Sequence, residues 1–317
     1  YRVMSTRTGD EADGTNPELS LDIGVELGGT KIVVGSSSGG RTLDGRARIP
    51  TTEPEPTLAA IRAAITELIG SADVAAIGIG SFGPLDLRHG SVHFGSIVRT
   101  PKPGWSGIDV ITGVMGDLDV PVAIDTDVAA ALRSEHRWGA AGTATAAYAT
   151  VGTGLGVALW SHGRIVDGMN HSEIGHIRVP RHRSDDFEGV CPYHGDCLEG
   201  MASGPAIEAR WGAPGHMLEG ETLMAARDLE AWYLAHGIAG MGAVVPVETV
   251  VLGGGVSHME GLHAAVSVAL PDAAGRYPPI PFAEGGPKVV PPDLGDDAGV
   301  LGAIDLARSA RPAEVNR

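Results

Sequence analysis

The sequence has little cysteine, few aromatic side chains and no long apolar run. Only two of its 317 residues are cysteine, too few for the disulfide framework of a small secreted domain. No apolar run approaches the roughly 18 residues that a membrane helix requires. Residues 1–19 lack the apolar core of a signal peptide, and we interpret them as a disordered lead-in. These absences predict a cytoplasmic protein with no membrane partner.

Basic residues are scarce as well. The chain has 23 Lys and Arg against 39 Asp and Glu, which gives a net charge of −16. This balance argues against broad nucleic-acid binding, which needs a basic face. It does not exclude a polyanionic small ligand held by backbone amides and Mg²⁺. The 43% of hydrophobic residues is typical of a globular protein, and the length allows two lobes with separate cores.

Strands and helices alternate along the chain, which predicts an α/β fold. Strand candidates 21–27 and 32–34 flank the turn Gly28-Gly29-Thr30-Lys31. The pair 145–151 and 155–160 repeats this arrangement around Gly152-Thr153-Gly154. We therefore expect two lobes that each begin with a β-hairpin, with both Gly/Thr turns facing a shared cleft.

The remaining elements follow from apolar periodicity and from glycine and proline positions. Further strands are predicted at 74–80, 122–124 and 249–252, and helices at 57–69, 128–136, 203–211, 221–238, 259–269 and 297–309. Residues 81–107 form a long Gly/Pro-rich segment without a periodic pattern. Loops of that length usually carry function or are disordered.

Both cysteines lie in one seven-residue window, Cys191-x2-His194-x2-Cys197, and His176 precedes them. Two thiolates and two imidazoles suit tetrahedral Zn²⁺, and four protein ligands would close its coordination shell. We therefore interpret the cluster as a structural zinc site. Three alternatives remain: a short-loop disulfide, free buried thiols, or histidines that are ordinary surface residues.

Three glycine-rich turns each follow an apolar strand: residues 28–31, 152–156 and 253–255. Glycine lets the backbone approach a phosphate closely, and free amides with a Thr hydroxyl donate to its oxygens. None of the turns is a Walker A loop. Together they predict a nucleotide cleft, although each taken alone is equally well explained as a tight turn.

Three carboxylates are candidates for chemistry. Asp127 follows a strand and begins a helix, where it could accept a proton from a substrate hydroxyl. The alternative is that Asp127 caps the helix. Glu173 and Glu199 bracket the Cys/His loop, residues 176–197. They could bind sugar hydroxyls, or could be solvated surface residues.

Over residues 21–310 these motifs together resemble the ROK family of sugar kinases and repressors. The tetrad Glu173-x-Gly175-His176, followed by a Cys/His cluster that ends in Cys197-Leu198-Glu199, is specific for that family. The cluster from Cys191, the segment Thr100–Trp105 and Asp125-Thr126-Asp127 look most like its bacterial zinc-containing fructokinase branch.

The resemblance implies an actin-like, hexokinase-like ATPase fold of the ribonuclease H-like type, with two α/β lobes. The small lobe would span 20–120, with the C-terminal helix 296–312 packing back on it. The large lobe would span 121–295 and contain the zinc loop 171–199.

Roles carried over by motif are also implied by the resemblance. Asp127 would be catalytic, and Glu26 would contact Mg²⁺ through water. Nucleotide-binding residues would be Gly28, Gly29, Thr30, Lys31, Thr150, Gly152, Thr153, Gly154, Gly204, Pro205, Gly253, Gly254 and Gly255. Substrate-binding residues would be Gly83, Thr126, Glu173, His176 and Glu199, with Trp105 also facing the sugar. Zinc ligands would be His176, Cys191, His194 and Cys197, so that His176 could serve zinc, sugar or both.

Some residues depart from the family pattern. Glu26 stands where many members of the superfamily have Asp, and Thr126 and Ala129 replace both asparagines of the Asn-Asp-Ala-Asn signature. Without an amide at position 126, one contact that could fix a sugar hydroxyl is missing.

The resemblance implies an ATP-dependent kinase that converts fructose to fructose 6-phosphate, with ATP, Mg²⁺ and a structural Zn²⁺ as cofactors. Its partners would be the sugar, ATP and a second copy of the chain. Three alternatives remain open. The first is a kinase for glucose, mannose or N-acetylmannosamine. The second is a sugar-sensing regulator, which needs a helix-turn-helix domain before the first strand. The third is a hydrolase with an open metal site.

Overall fold

The computed structural model describes residues 20–275 and 286–311. The predicted disordered segment 1–19 and the last residue of the predicted helix 296–312 lie outside the described residues. Two five-stranded sheets and the helices packed on them make up the fold.

The first sheet has the order β3-β2-β1-β4-β5. Strands β1 and β2 form an antiparallel hairpin, and β1, β4 and β5 run parallel to one another. The strands are β1 (Leu21–Leu27), β2 (Lys31–Ser37), β3 (Gly45–Pro50), β4 (Val74–Ser81) and β5 (Val122–Thr126).

The second sheet, in the order β8-β7-β6-β9-β10, repeats the topology of the first. Its hairpin is β6–β7, and β6, β9 and β10 run parallel. The strands are β6 (Thr145–Val151), β7 (Leu155–Ser161), β8 (Arg164–Ile165), β9 (Thr249–Gly253) and β10 (Lys288–Val290). The predicted echo between the two halves is confirmed as a shared strand arrangement.

Eight helices connect and cover the sheets within the described residues. They are α1 (Pro54–Ile69), α2 (Val110–Met115), α3 (Asp127–Trp138), α4 (Leu198–Ala202), α5 (Gly204–Trp211), α6 (Gly220–Gly242), α7 (Leu262–Ala273) and α8 (Ala298–Ala310). Short 3₁₀ turns span Ile174–His176, Gly215–Met217, Gly255–His258 and Gly295–Asp297. None of the described helices has the length and apolar character needed to cross a membrane.

Helix α8 packs on β1 and β4 of the first sheet and also against α3. The approach is close because glycine lies at the contacts. A Cβ atom at Gly78 would collide with the backbone of Ala303, and one at Gly302 would collide with the backbone of Ala130. Helix α8 therefore packs closely against both the first sheet and the helix that begins at Asp127.

The predicted strands and helices are confirmed to within a few residues at each end, and five short strands or helices were missed. Strand β3 alternates half-buried and exposed residues, so it carries no apolar signal. Helices α2 and α4 have six and five residues, strand β10 has three, and strand β8 has two. Segments this short show too few turns or alternations for periodicity to reveal them.

Candidate active site

A cleft of about 820 Å³ lies where the Gly/Thr turns of both hairpins approach the start of α3. Residues from both sheets line it, as the sequence predicted. Of the predicted site residues, those on its wall are Glu26, Thr30, Lys31, Asp127, Thr150, Gly152, Thr153, Gly204, Pro205, Gly254 and Gly255. Sequence analysis missed Tyr148, Glu208, Ser257, His258, Asp296 and Gly299, which share this wall without a motif of their own.

The first turn closes the β1–β2 hairpin with two residues, Gly29 and Thr30. The amide of Gly28 donates to the carbonyl of Lys31 at 3.1 Å. Thr51, just after β3, fixes the turn from the side. Its amide donates to the Thr30 carbonyl at 2.9 Å, and its hydroxyl donates to the Gly28 carbonyl at 2.8 Å. Thr51 thus holds the carbonyls of Gly28 and Thr30 in place.

The second turn, between β6 and β7, is fixed by more distant parts of the chain. The amide of Gly204, the first residue of α5, donates to the Gly152 carbonyl at 2.7 Å. The amide of Leu155 donates to the Glu199 carboxylate at 3.0 Å, and this carboxylate also lies against Gly154. Glu199 therefore contacts the turn directly and also lies 3.9 Å from His176 of the Cys/His cluster.

The third glycine turn follows β9 and packs against the second. Gly254 has a φ of 84°, and a Cβ atom there would collide with the backbone of Val151. Only glycine meets both conditions easily. Gly253 lies against the ring of Tyr148 and is not itself part of the cleft wall, whereas Tyr148 is.

Two of the carboxylates that line the cleft, Glu26 and Asp127, have raised pKa values. Burial raises the pKa of Glu26 to about 7, and the charge of Asp127 adds to the shift while Lys31 opposes it. The Oε2 atom of Glu26 is buried and has no hydrogen-bond partner among the described residues. A buried carboxylate oxygen without a partner fits a site for a hydrated cation.

Asp127 is the first residue of α3, and its carboxylate accepts a hydrogen bond from the Val128 amide at 2.8 Å. Burial raises the pKa of Asp127, although the amide contacts oppose the shift. The helix cap is Thr126, whose hydroxyl accepts from the Ala129 amide at 3.2 Å. The conventional capping position therefore belongs to Thr126, and the Asp127 side chain faces the cleft. A carboxylate with a raised pKa is a good proton acceptor.

Asn170 and His171, which precede the Cys/His loop, make hydrogen bonds to the long segment after β4, residues 81–107. The Leu85 amide donates to His171 Nε2 at 3.0 Å, and the Leu87 amide donates to Asn170 Oδ1 at 2.9 Å. Because His171 Nε2 accepts, the neutral ring carries its proton on Nδ1, which lies 3.6 Å from Glu173 Oε1. Sequence analysis assigned neither residue a role, since the Leu85 and Leu87 amides belong to a distant segment.

The carboxylates predicted to bind sugar gather around His176. Its Nε2 lies 4.0 Å from Glu173 Oε2, and its Nδ1 lies 3.9 Å from Glu199 Oε1. Gly83 approaches the ring of His171 and precedes Pro84 through a cis peptide bond. Gly83, Glu173, His176 and Glu199 are thus brought to one region by His171 and the 3₁₀ turn that ends at His176.

Trp105 lies in the hydrophobic core that packs on the first sheet. Its side chain is fully buried, and its indole N–H donates to the Thr52 carbonyl at 2.9 Å. The ring packs edge-on against Phe82, with 5.2 Å between ring centroids. The prediction that Trp105 contacts the sugar is wrong, because its apolar ring belongs to the core beneath segment 100–105.

The Cys/His cluster comes together in space. One ligand atom from each of His176, Cys191, His194 and Cys197 lies within 4.8 Å of the others. His176 Nδ1 is 3.5 Å from Cys197 Sγ and 3.7 Å from Cys191 Sγ, and His194 Nδ1 is 3.7 Å from Cys191 Sγ. Zinc bonds of normal length in a tetrahedron give ligand separations of roughly 3.3–3.8 Å. Both cysteines are free and buried, which is consistent with zinc ligands and with the alternative of free buried thiols.

Comparisons with known proteins place the chain among sugar kinases. The model of the ROK family matches residues 22–310. A fructokinase of Zymomonas mobilis is 41% identical over 292 residues, which make up 90% of this chain and 96% of the relative. A fructokinase of Pediococcus pentosaceus is 32% identical over 292 residues, with 90% and 97% covered.

A solved structure resembles the fold over nearly the whole chain. The ROK family glucokinase from Streptomyces griseus, in complex with glucose and AMPPNP, has a TM-score of 0.73 and 26% sequence identity. The match covers 92% of this chain and 100% of that one. This likeness agrees with the duplicated two-sheet architecture. Since the family model spans most of the sequence and a relative exceeds 40% identity over nine-tenths of it, the chain belongs to the ROK family.

Proposed function

We propose that the protein transfers the γ-phosphoryl group of ATP to the 6-hydroxyl of fructose and releases ADP and fructose 6-phosphate. The observation that carries this proposal is the 41% identity to a fructokinase along 90% of the chain, with Asp127 standing in the cleft between both Gly/Thr turns. Fructokinases from several other bacteria match with comparable coverage.

The nucleotide would occupy the cleft of about 820 Å³. The turns Gly28–Lys31 and Thr150–Gly154 would donate to the phosphates, and Gly204, Pro205 and the turn Gly253–Gly255 would flank the adenosine. Glu26 would contact Mg²⁺ through a bound water, since its buried Oε2 has no other partner among the described residues. Mg²⁺ in such sites neutralises charge on the phosphate oxygens.

Asp127 would orient the attacking hydroxyl and accept its proton. The raised pKa of Asp127 favours that step, because proton transfer to a carboxylate becomes easier as its pKa rises. Gly83, Thr126, Glu173, His176 and Glu199 would position the sugar. Thr126 is buried and engaged with the Ala129 amide, so its contribution would be to hold the start of α3 in place.

His176, Cys191, His194 and Cys197 would hold structural zinc. The Nδ1 atom of His176 faces both thiols, whereas its Nε2 faces Glu173. The ring would thereby bind zinc through Nδ1 and face the sugar-binding carboxylate of Glu173 through Nε2. Four protein ligands leave no position for a metal-bound water, which disfavours a hydrolase.

A sugar panel tests the proposed reaction. Purified protein with Mg-ATP is given fructose, mannose, glucose or N-acetylmannosamine, and ADP release is measured with the Asp127→Asn variant as a control. We expect turnover to be largest with fructose and to depend on Asp127. Turnover that favours another hexose would replace the substrate but keep the kinase. Sugar binding without turnover on any of the four would indicate a sugar-sensing role instead.

A further inference from the structure

Lysine is the rarest charged residue of this chain. Only Lys31, Lys102 and Lys288 occur, so arginine supplies nearly all of the 23 basic side chains. Lys288 lies on β10, at the edge of the second sheet. The other two both lie at the first turn, Lys31 as its last residue and Lys102 from the long segment that follows β4. Two of the three lysines therefore lie at a turn that is proposed to bind phosphate.

Segment 100–105 is tied to the same frame that fixes this turn. The buried indole of Trp105 donates to the Thr52 carbonyl at 2.9 Å. The neighbouring residue, Thr51, holds the carbonyls of Gly28 and Thr30. The backbone that carries Lys102 and the backbone of the turn are thus joined through two consecutive threonines.

The Lys102 ammonium group itself reaches the turn. Its Nζ atom donates to the Gly29 carbonyl at 2.5 Å and lies 6.0 Å from the centroid of the Phe82 ring. Among described residues no carboxylate lies within ion-pair distance of Lys102, whereas Lys31 lies 3.7 Å from Asp296. An ammonium group has three N–H donors. With one used on a neutral carbonyl, two remain for the oxygens of an anion.

The nearby cleft is acidic. Glu26, Asp127, Glu208 and Asp296 line it, and its lysine, Lys31, already pairs with Asp296. Phosphoryl transfer spreads negative charge over three phosphate oxygens, and catalysis depends mainly on positioning and on electrostatic stabilisation. A cation at the first turn that is not neutralised by a carboxylate would supply that stabilisation.

We propose that Lys102 is a second phosphate-binding cation, which donates to the phosphoryl group during transfer and then to the 6-phosphate of the product. This inference rests on the proposed kinase function. In the step, the bond from the γ-phosphorus to the bridging oxygen of ADP breaks and a bond to the sugar O6 forms. The hydroxyl proton goes to Asp127, and Lys102 keeps its own protons throughout. The Gly29 carbonyl holds the ammonium in place beside the turn.

The test compares Lys102→Met with the matched control Lys288→Met. For each protein, kcat is measured with fructose and Mg-ATP, and calorimetry gives the affinities for fructose, Mg-ADP and fructose 6-phosphate. We expect Lys102→Met to lower kcat by about 10²-fold. It should weaken fructose 6-phosphate binding by about tenfold or more. Affinities for fructose and Mg-ADP should stay within about twofold, and Lys288→Met should match the unmodified protein in every measurement.

A purely structural role for Lys102 predicts a different pattern. If the side chain only braces the Gly29 carbonyl, Lys102→Met would weaken Mg-ADP and fructose 6-phosphate binding alike, and that result would overturn the proposal. Unchanged fructose 6-phosphate affinity would overturn it as well. Lys102→Arg keeps the charge, and we expect it to bind the product more tightly than Lys102→Met. Failure of the kinase function itself would appear already in the unmodified protein, as absent turnover.

Discussion

The two Gly/Thr turns have the same topological position in their sheets, yet they are anchored differently. The first, Gly28–Lys31, is fixed by Thr51 and contacted by Lys102, both from the same half of the chain. The second, at Gly152–Gly154, is fixed by Gly204 and Glu199, which come from the helices after the Cys/His loop. A duplicated strand arrangement therefore supports two unlike environments.

This difference assigns each turn to its own part of the site. The first turn contacts segment 100–105 through Lys102, and the second contacts the Cys/His loop through Glu199. Asp127 stands between them at the start of α3 and shares the cleft wall with residues of both. A change at Asp127 should therefore affect the function of both turns, whereas a change beside one turn should affect that turn alone.

Replacing Asp127 affects the function that both turns serve, and we expect the largest effect here. Asp127→Asn keeps the shape of the side chain but removes the proton acceptor, so kcat should fall by about 10²- to 10⁴-fold. Fructose and Mg-ATP affinities, measured by calorimetry, should change little. Near-normal turnover would remove Asp127 from the mechanism.

The pH profile of the unmodified protein gives a second measurement on Asp127. Burial raises the pKa of Asp127, and the ionised form is the proton acceptor. Activity should therefore fall as the pH is lowered, with an inflection above the ordinary range of an aspartate. Asp125→Asn is the matched control, because Asp125 is also a carboxylate at this strand end, with a pKa raised by burial to about 6. We expect this control to retain most of its turnover.

Loss of the proposed zinc should affect the second turn, through Glu199, and the carboxylates around His176. Cys197→Ser should lose bound zinc and weaken fructose binding by about 10- to 100-fold, as expected for a lost orienting contact. Mg-ATP binding should weaken by a smaller factor, through Glu199 and Leu155. Metal content, measured by mass spectrometry, and calorimetry check both effects.

Tyr193→Ser is the control for Cys197→Ser. It tests whether any substitution in the Cys/His loop causes loss of zinc and weaker fructose binding. Tyr193 is 52% exposed and lies between the two cysteines. This variant should keep its zinc and its affinity for fructose. A zinc-free Cys197→Ser protein that binds fructose normally would contradict the proposal that zinc helps to position the carboxylates of Glu173 and Glu199.

The smallest effect is expected at the first turn alone. Thr51→Val removes the hydroxyl that donates to the Gly28 carbonyl at 2.8 Å but keeps the backbone amide. One hydrogen bond contributes about 1 kcal/mol, so the KM for Mg-ATP should rise by about fivefold while that for fructose stays constant. Thr51→Ser retains the hydroxyl and should behave like the unmodified protein. Equal kinetics for the two variants would show that the hydroxyl does not matter to the turn.

Features defined by neighbouring residues were predictable. The hairpins around Gly28–Lys31 and Gly152–Gly154, the strand-to-helix position of Asp127 and the compact spacing of Cys191, His194 and Cys197 all follow from local pattern. Short or half-exposed elements were not predictable. Strand β3 alternates half-buried and exposed residues, and the five residues of α4 are too few for a periodic signal. The positions of Trp105 and Lys102 were not predictable either.

The sequence by itself determined the fold class, the duplicated hairpin, the candidate base and the membership of the Cys/His cluster. Only the tertiary structure brought His176 to Cys191 and Cys197, gave the helix cap to Thr126, buried Trp105 and placed Lys102 on the Gly29 carbonyl. The reason is physical. Turns and periodic elements depend on residues close in sequence, whereas burial and pairing depend on which distant segments the folded core brings into contact.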